Sequence, residues 1–525
     1  MNDQQPSRLP RPSRRALLGG GLVVGAGVFL PACRSAAGDS TSTGSGRPRS
    51  GGTLHMVQSA DILPLSLPSQ NNPNFSVNRT VFNTLVSLDH TSLQPQPQLA
   101  KSWTVSADRK TYVFQLRDDV TFHTGRPFTP EDVVFVLKYY AKDTTATQMK
   151  ATAMQVTSAT KTGDHEVTVV FGKAVNNVWD MLEMMIILDK ETIDDLATGQ
   201  KIIGTGPFKV ASYTPGSAIS LKRNDKYWKP SRPYLDGIEI SIVSQSSSAV
   251  AALRSGQAQL ALDLSPLDAA GIRDHAGFRL LQSDAYDLTY YVGANVQVKP
   301  LDQPEVRLAI AWAIDRDRIL KQALGGIGRT SSVPWSFGSP AWDKKQAATY
   351  SYDPAKAKRM LRSAGATGTK IDVYYSNSLA TNTAVAQIVQ SNLADAGLKA
   401  TLQPKLAADY QKLFVSGKLP GLFVNGHGFG QLSPATLAKG AFPFNAQQNA
   451  SNFSSHTYTR LADAAWTGGP GSLPGTYKQL TELLLEEQFV IDLVNSTHTY
   501  AVADKLKGVA WTMYDYLDLD NAYLA

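Results

Sequence analysis

DPAKAKRMLRSAGATGTKIDVYYSNSLATNTAVAQIVQSNLADAGLKATL, residues 353–402, alternates helix and strand signals at short, regular spacing. Asp353 is a side-chain cap, and Pro354 follows at the first helical position, where a missing N–H does no harm. Gly365 closes that helix, since glycine takes up the left-handed turn beyond a last helical residue without steric penalty. Residues 371–375 (IDVYY) have the β-branched and aromatic composition of a strand. Residues 383–396 give a second helix, stopped by Gly397, and residues 398–402 another strand. This alternation predicts an α/β lobe built on a mixed sheet.

Upstream, Thr53–Gln58 and Thr111–Leu116 are short β-prone runs. Thr129-Pro130-Glu131-Asp132 starts a helix: threonine as cap, proline next, acids in the first turn, then the apolar VVFVL. With 525 residues, 42% hydrophobic and 18% charged, the chain has room for about three structural units and a large core. That balance excludes a disordered or coiled-coil protein. The 40 Gly and 28 Pro follow no period, so they mark turns and not collagen or a solenoid. Lys and Arg number 51 against 44 Asp and Glu, a net +7. Seven Arg and two acids fall within residues 1–50, a local +5, which leaves the body at only +2. No Lys/Arg stripe runs through that body, so a nucleic-acid partner is not expected.

Ser13-Arg14-Arg15-Ala16-Leu17-Leu18 is a twin-arginine pair leading into an apolar run over residues 17–30. Glycines dilute that run, and it is shorter than the roughly 18–20 apolar residues of a membrane span. Residues 1–32 therefore read as an export signal. Leu30-Pro31-Ala32-Cys33 resembles a bacterial lipobox, with the chain's single cysteine at the position that is lipidated after cleavage. A Sec-type signal with an incidental buried cysteine is the competing reading. Residues 33–50, rich in Ser, Gly and Thr, form a flexible tether. The body is thus expected outside the cytoplasm, anchored to the outer face of the cytoplasmic membrane. A lone cysteine also removes any intrachain disulfide, CxxC redox pair or thiolate zinc cage.

Histidines 55, 90, 123, 165, 275, 427, 456 and 498 lie too far apart for HExxH or a similar ligand spacing. Neither a GxSxG elbow nor a GxxxxGK[ST] phosphate loop occurs. Gly204-Thr205-Gly206-Pro207-Phe208-Lys209 begins like a dinucleotide fingerprint, but Lys209 occupies the third glycine position and Pro207 blocks the helix start. It reads as a turn. No metal, cofactor or catalytic residue is expected. A secreted hydrolase stays open as an alternative, because a fold can place two carboxylates without any motif.

Four stretches together resemble the family 5 extracellular solute-binding proteins of bacterial ABC importers, the group serving dipeptides, oligopeptides and nickel complexes. They are residues 97–137 (PQLAKSWTVSADRKTYVFQLRDDVTFHTGRPFTPEDVVFVL), 204–228 (GTGPFKVASYTPGSAISLKRNDKYW), 304–319 (PEVRLAIAWAIDRDRI) and 352–365 (YDPAKAKRMLRSAG). Thr124 stands where the family more often has Asp. The resemblance implies an α/β, two-lobe periplasmic-binding-protein-like fold with a hinge and an extra subdomain on lobe I. Lobe I is expected over residues 51–80, 205–295 and 500–525, the inserted subdomain over 81–204, and lobe II over 296–499. A small polar solute, peptide-like or not, would lie between the lobes and pass to ABC permease and ATPase subunits. The receptor itself is expected to be a monomer without enzymatic activity. A sensory solute receptor lipoprotein is a further alternative.

Peptide-binding members carry a Trp and, three residues later, an Asp that holds the peptide ammonium, shortly before an x-Pro turn. Aligning that turn on Pro434 places His427 at the Trp position and Gly430 at the Asp position. Either another acid substitutes, with Asp61 as candidate, or the ligand is not an ordinary peptide. His427 could hydrogen-bond a polar ligand, bind a metal chelate, or be a plain loop residue among Gly426, Gly428 and Gly430. Asn425, Phe429 and Gln431 flank it as candidate ligand contacts. Asn295 falls where the family runs from strand into hinge, and is a candidate cleft residue or a structural cap.

Overall fold

The computed structural model describes residues 48–525 except 70, 71, 91, 274, 284, 285, 287, 429, 431 and 432. The expected leader, Cys33, Phe429 and Gln431 lie outside the described residues. The helix that Asp353 starts spans Pro354–Ser363, with the Asp353 carboxylate accepting the Lys356 N–H at 2.7 Å. Gly365 follows at φ +67°, the left-handed conformation that ends it. Strand Lys370–Ser376, helix Ala380–Asp395 and strand Lys399–Lys405 complete the alternation. The second helix begins three residues before the predicted Thr383, because its N-cap, Leu379, offers no capping side chain for the sequence to reveal.

Two large mixed sheets form the lobes. The first runs, in spatial order, Phe278–Gln282, Thr499–Ala503, Leu260–Ala261, Thr53–Gln58, Gly237–Ile242, Ala218–Arg223 and Phe208–Thr214. The second runs Arg329–Thr330, Val490–Ser496, Leu288–Ala294, Leu422–Gly428, Lys370–Ser376 and Lys399–Lys405. A third sheet, Ala100–Val105, Thr111–Leu116, Glu166–Phe171 and Val156–Gly163, is antiparallel throughout. Its Phe114 shares one continuous apolar core with Phe82 and Phe208 beneath the first sheet. Trp335, Tyr291 and Phe423 belong to the separate core of the second lobe.

The chain crosses between the two sheets twice, side by side. Phe278–Gln282 pairs antiparallel with Thr499–Ala503 in the first sheet, and Leu288–Ala294 with Val490–Ser496 in the second. Between them, the Ser283 N–H donates to the His498 carbonyl at 3.1 Å and the Thr497 hydroxyl to the Ser283 carbonyl. A two-stranded ribbon therefore passes from lobe to lobe. Strand Leu288–Ala294 lies near the middle of the second sheet, so residues 288–295 belong with lobe II, not with lobe I as the sequence boundary had it. A β-rich run offers no local sign of which sheet will claim it.

The GTG turn is a packing device. A Cβ on Gly204 would lie 2.1 Å from the Val81 carbonyl oxygen, and one on Gly206 2.5 Å from the Val81 carbonyl carbon. His123 locks the turn: Nδ1 accepts from the Gly204 N–H at 3.4 Å, and Nε2 lies 3.1 Å from the Gly206 carbonyl. With both nitrogens used this way the imidazole is neutral, and burial pushes its pKa down to about 4.

A second fastening joins the lobes away from the ribbon. Asp180, buried in helix Val178–Met184, accepts from Tyr514 at 2.8 Å, from the Ser433 N–H at 3.0 Å and from the Thr436 hydroxyl at 2.7 Å. Asn177 adds a bond to Thr436 and receives one from the Trp466 indole.

Candidate functional site

Parallel strands direct their carboxyl ends to one side of a sheet, and the loops leaving those ends are free to line a crevice. In the first sheet Thr53–Gln58 runs parallel to Gly237–Ile242 and to Leu260–Ala261. The segments that follow them, Ser59-Ala60, Ser244-Gln245-Ser246 and Asp263 to Pro266, form one wall of a cleft of about 590 Å³. In the second sheet Lys370–Ser376 is parallel to Leu422–Gly428. Residues 378–382 and 425–428, after or at those carboxyl ends, form the facing wall together with Leu288 and Tyr290. The ribbon residues Thr497 and His498 make the floor. The cleft therefore lies between the lobes and directly on the crossing.

Its lining is almost free of charge and mixes polar side chains with apolar ones such as Phe75, Leu264, Leu288 and Ile327. Among the described lining residues Asp263 is the one carboxylate, and no Lys or Arg accompanies it. Asp263 sits at φ +57°, a left-handed conformation that Asp tolerates better than most residues. Its Oδ2 lies 3.4 Å from the Ser59 hydroxyl. Burial pushes its carboxyl above the ordinary range, while the His498 imidazole works the other way. His498 packs edge-on to Phe75 at 5.3 Å, and its Nε2 is 3.9 Å from the buried Asp515 carboxylate. Opposite, burial raises the Tyr290 hydroxyl to about 12, and Thr381 hydrogen-bonds it.

The sequence candidates separate here. Asn425 and His427 border the cleft. His427 stands in a strand and not in a loop, and its side chain is only 1% exposed. The ring packs on Tyr291 at 5.7 Å and edge-on to Phe444 at 5.1 Å, with Nε2 4.0 Å from Asp492. Burial holds its pKa down at about 3, so the imidazole is a neutral core group. Among the described residues no group of three His, Cys, Asp or Glu side chains could share a metal ion.

Two candidates lie elsewhere. Asp61 is outside the cleft lining, with one carboxylate oxygen accepting from the Tyr213 hydroxyl at 2.8 Å and the Gly216 N–H at 2.6 Å. It braces a hairpin of the first sheet. Asn295 caps the far end of Leu288–Ala294: it donates to the Leu419 carbonyl at 2.9 Å and accepts from the Gln297 N–H and Asn452. The crossing precedes that strand, so its far end is remote from the hinge. Asp263 was the residue that sequence reading missed. The available signal was an acid interrupting the apolar run LALDL over residues 260–264.

Comparison with known proteins agrees with this architecture. A family model described as "Bacterial extracellular solute-binding proteins, family 5 Middle" matches residues 94–446. Di/tripeptide-binding protein 1 of Pseudomonas aeruginosa is 26% identical over 469 residues, covering 80% of this chain and 84% of that protein. Among solved structures, the binding protein AgaA of A. tumefaciens R10 in complex with agropinic acid superposes with a TM-score of 0.78 at 23% identity. It covers 90% of this chain and 99% of the other. NikZ of Campylobacter jejuni in complex with Ni(L-His) gives 0.76 at 21% identity, over 88% and 97% of the two chains. At those identities the structural likeness speaks for the fold alone.

Proposed function

The chain belongs to the family 5 bacterial extracellular solute-binding proteins, and from that premise we propose that it captures a small polar solute between its two lobes and delivers it to an ABC permease. Members of this family are extracytoplasmic binding proteins that serve ABC transporters for peptides and other solutes. The carrying observation is the cleft of about 590 Å³ set on the interlobe ribbon, where neutral hydrogen-bonding side chains such as Ser59, Gln245, Thr381, Asn382 and Asn425 are interspersed with apolar ones such as Phe75, Leu264 and Ile327. Such a site binds by enclosure: two walls converge on the solute, and the ribbon absorbs the rotation. A solute favours the closed state only through contacts it makes with both walls at once.

The protein acts without enzymatic turnover, as a monomer, and ATP is hydrolysed by partner subunits. Residues 1–32 direct export by the twin-arginine route, and lipidation at Cys33 holds the receptor on the outer face of the cytoplasmic membrane. Cys33→Ala, with the chain otherwise intact, would then release the protein from the membrane fraction. A sensory receptor would use the same cleft, and loss of solute uptake on deleting the receptor distinguishes transport from sensing.

Thermal unfolding of the purified protein against a library of small polar solutes tests the central claim. A solute at a hundredfold excess over its Kd stabilises the folded state by about 2.7 kcal/mol, a readily measured shift. Hydrolysis of a stabilising compound would instead favour an enzyme.

A further inference from the structure

We propose that Asp263 is the anchor for a basic nitrogen on the captured solute. The inference rests on the receptor reading above and adds the charge of the ligand to it. The carboxylate stands at the carboxyl end of strand Leu260–Ala261, at φ +57°, in the wall of the cleft. Ser59 serves it with its hydroxyl, at 3.4 Å, and with its backbone N–H, which leaves part of an ionised carboxylate's roughly four acceptor sites to fill. Among the described lining residues no Lys or Arg supplies a counter-charge. His498, the titratable neighbour on that side, has its own carboxylate in Asp515 at 3.9 Å.

Closing the second lobe over Asp263 removes water from an anion, and that step is unfavourable unless a cation arrives with it. His498 is divided between Asp263 and Asp515, which leaves the solute to bring a cation of its own. A charge-assisted N–H···O bond made only in the closed state would then favour closure as well as occupancy. The opposite wall suits the remainder of such a molecule. Thr381, Asn382 and Asn425 offer neutral hydrogen bonds, and Tyr290 offers an aromatic face. The ligand class is a small polar amine, whether the nitrogen is the free N-terminus of a short peptide or belongs to a non-peptide amine.

Native mass spectrometry of the full-length protein, incubated with a small-molecule extract of the cells that express it, provides the test. The captured molecule is identified by fragmentation, which separates peptide from non-peptide amines. Its affinity is then measured for the wild type, for Asp263→Asn, and after N-acetylation of the molecule itself. Asparagine accepts the same left-handed backbone, so the variant retains the local fold. Acetylation removes the charge with the protein untouched. The expected result is a molecule with a basic nitrogen whose affinity falls at least tenfold in both comparisons. A neutral or anionic captured molecule, or an amine bound equally well by Asp263→Asn and after acetylation, overturns the inference and leaves the receptor reading standing. Capture of nothing by the wild type counts against the receptor reading itself, and the inference goes with it.

Discussion

The backbone N–H of Ser336 donates to the carbonyl of Gly430 at 2.9 Å, closing the place where alignment with peptide binders puts an ammonium-holding acid. A Cβ on Gly430 would lie 2.9 Å from the Pro334 carbonyl oxygen and 3.2 Å from the Ser336 nitrogen. Glycine is required there by close backbone approach, and no side chain of any kind would fit without movement.

Gly430→Asp is therefore expected to lower stability by about 1–3 kcal/mol through overpacking, and to confer no binding of dipeptides. Thermal unfolding with and without a dipeptide panel reads both effects. A variant as stable as the wild type that newly binds dipeptides would mean the position is an acid site vacated by mutation.

At the GTG turn the demand is harsher. A methyl group on Gly204 would meet the Val81 carbonyl at 2.1 Å, a backbone atom that cannot rotate away. Gly204→Ala should cost about 3 kcal/mol or more, or prevent folding, as severe overpacking does. Gly469, with open space around its Cβ direction and φ −69°, is the matched control. Denaturant midpoints of the two alanine variants should differ widely, and similar midpoints would refute the packing account.

Asp180 receives bonds from both sides of the interlobe junction, and burial pushes its carboxyl up against the pull of those donors. Asp180→Ala leaves the Tyr514 hydroxyl, the Thr436 hydroxyl and the Ser433 N–H to find new partners. A loss of about 2–4 kcal/mol is expected from stranding buried polar groups. Because the junction spans the lobes, solute should also dissociate faster. Stopped-flow release that is unchanged in the variant would restrict Asp180 to a folding role.

His123 sets a pH dependence whose direction is fixed by its depressed pKa. The folded protein holds it neutral down to about 4, while the unfolded chain takes up the proton near 6.5. Acidification through that window favours the unfolded state, by at most about 1.4 kcal/mol per pH unit and up to about 3 kcal/mol in all. Glutamine retains a donor and an acceptor but does not titrate. The stability advantage of the wild type over His123→Gln should shrink steadily as pH falls from 6.5 to 4. An advantage constant across that range would contradict the neutral, doubly bonded imidazole.

What could be read in the sequence follows from how local each feature is. The alternation after Asp353 was legible because capping residues and terminal glycines act within a few residues of themselves. The role of Gly204 and Gly206 as a turn was legible too, though Val81, which demands them, was not. Asn295 and Asp61 misled for different reasons. Asn295 stands at the end of its strand away from the cleft, and which end faces the cleft depends on where the chain changes sheets. That change falls between strands Phe278–Gln282 and Leu288–Ala294, and the second of them looks like any other. Asp61 follows the cleft-facing end of Thr53–Gln58, but its carboxylate is taken up by Tyr213 and Gly216. Asp263 stayed hidden because a ligand-facing acid and a surface acid are written with the same letter. His427 shows the opposite case, a conspicuous histidine among glycines whose ring serves the core.

Strand Thr499–Ala503 lies between Phe278–Gln282 and Leu260–Ala261. On the ribosome, therefore, the first lobe must wait with a gap in its sheet while the whole second lobe is synthesised. The floor of the cleft, at Thr497 and His498, emerges only with the strand that fills that gap. Until Thr499–Ala503 has emerged, the nascent chain has no enclosed site to offer a solute.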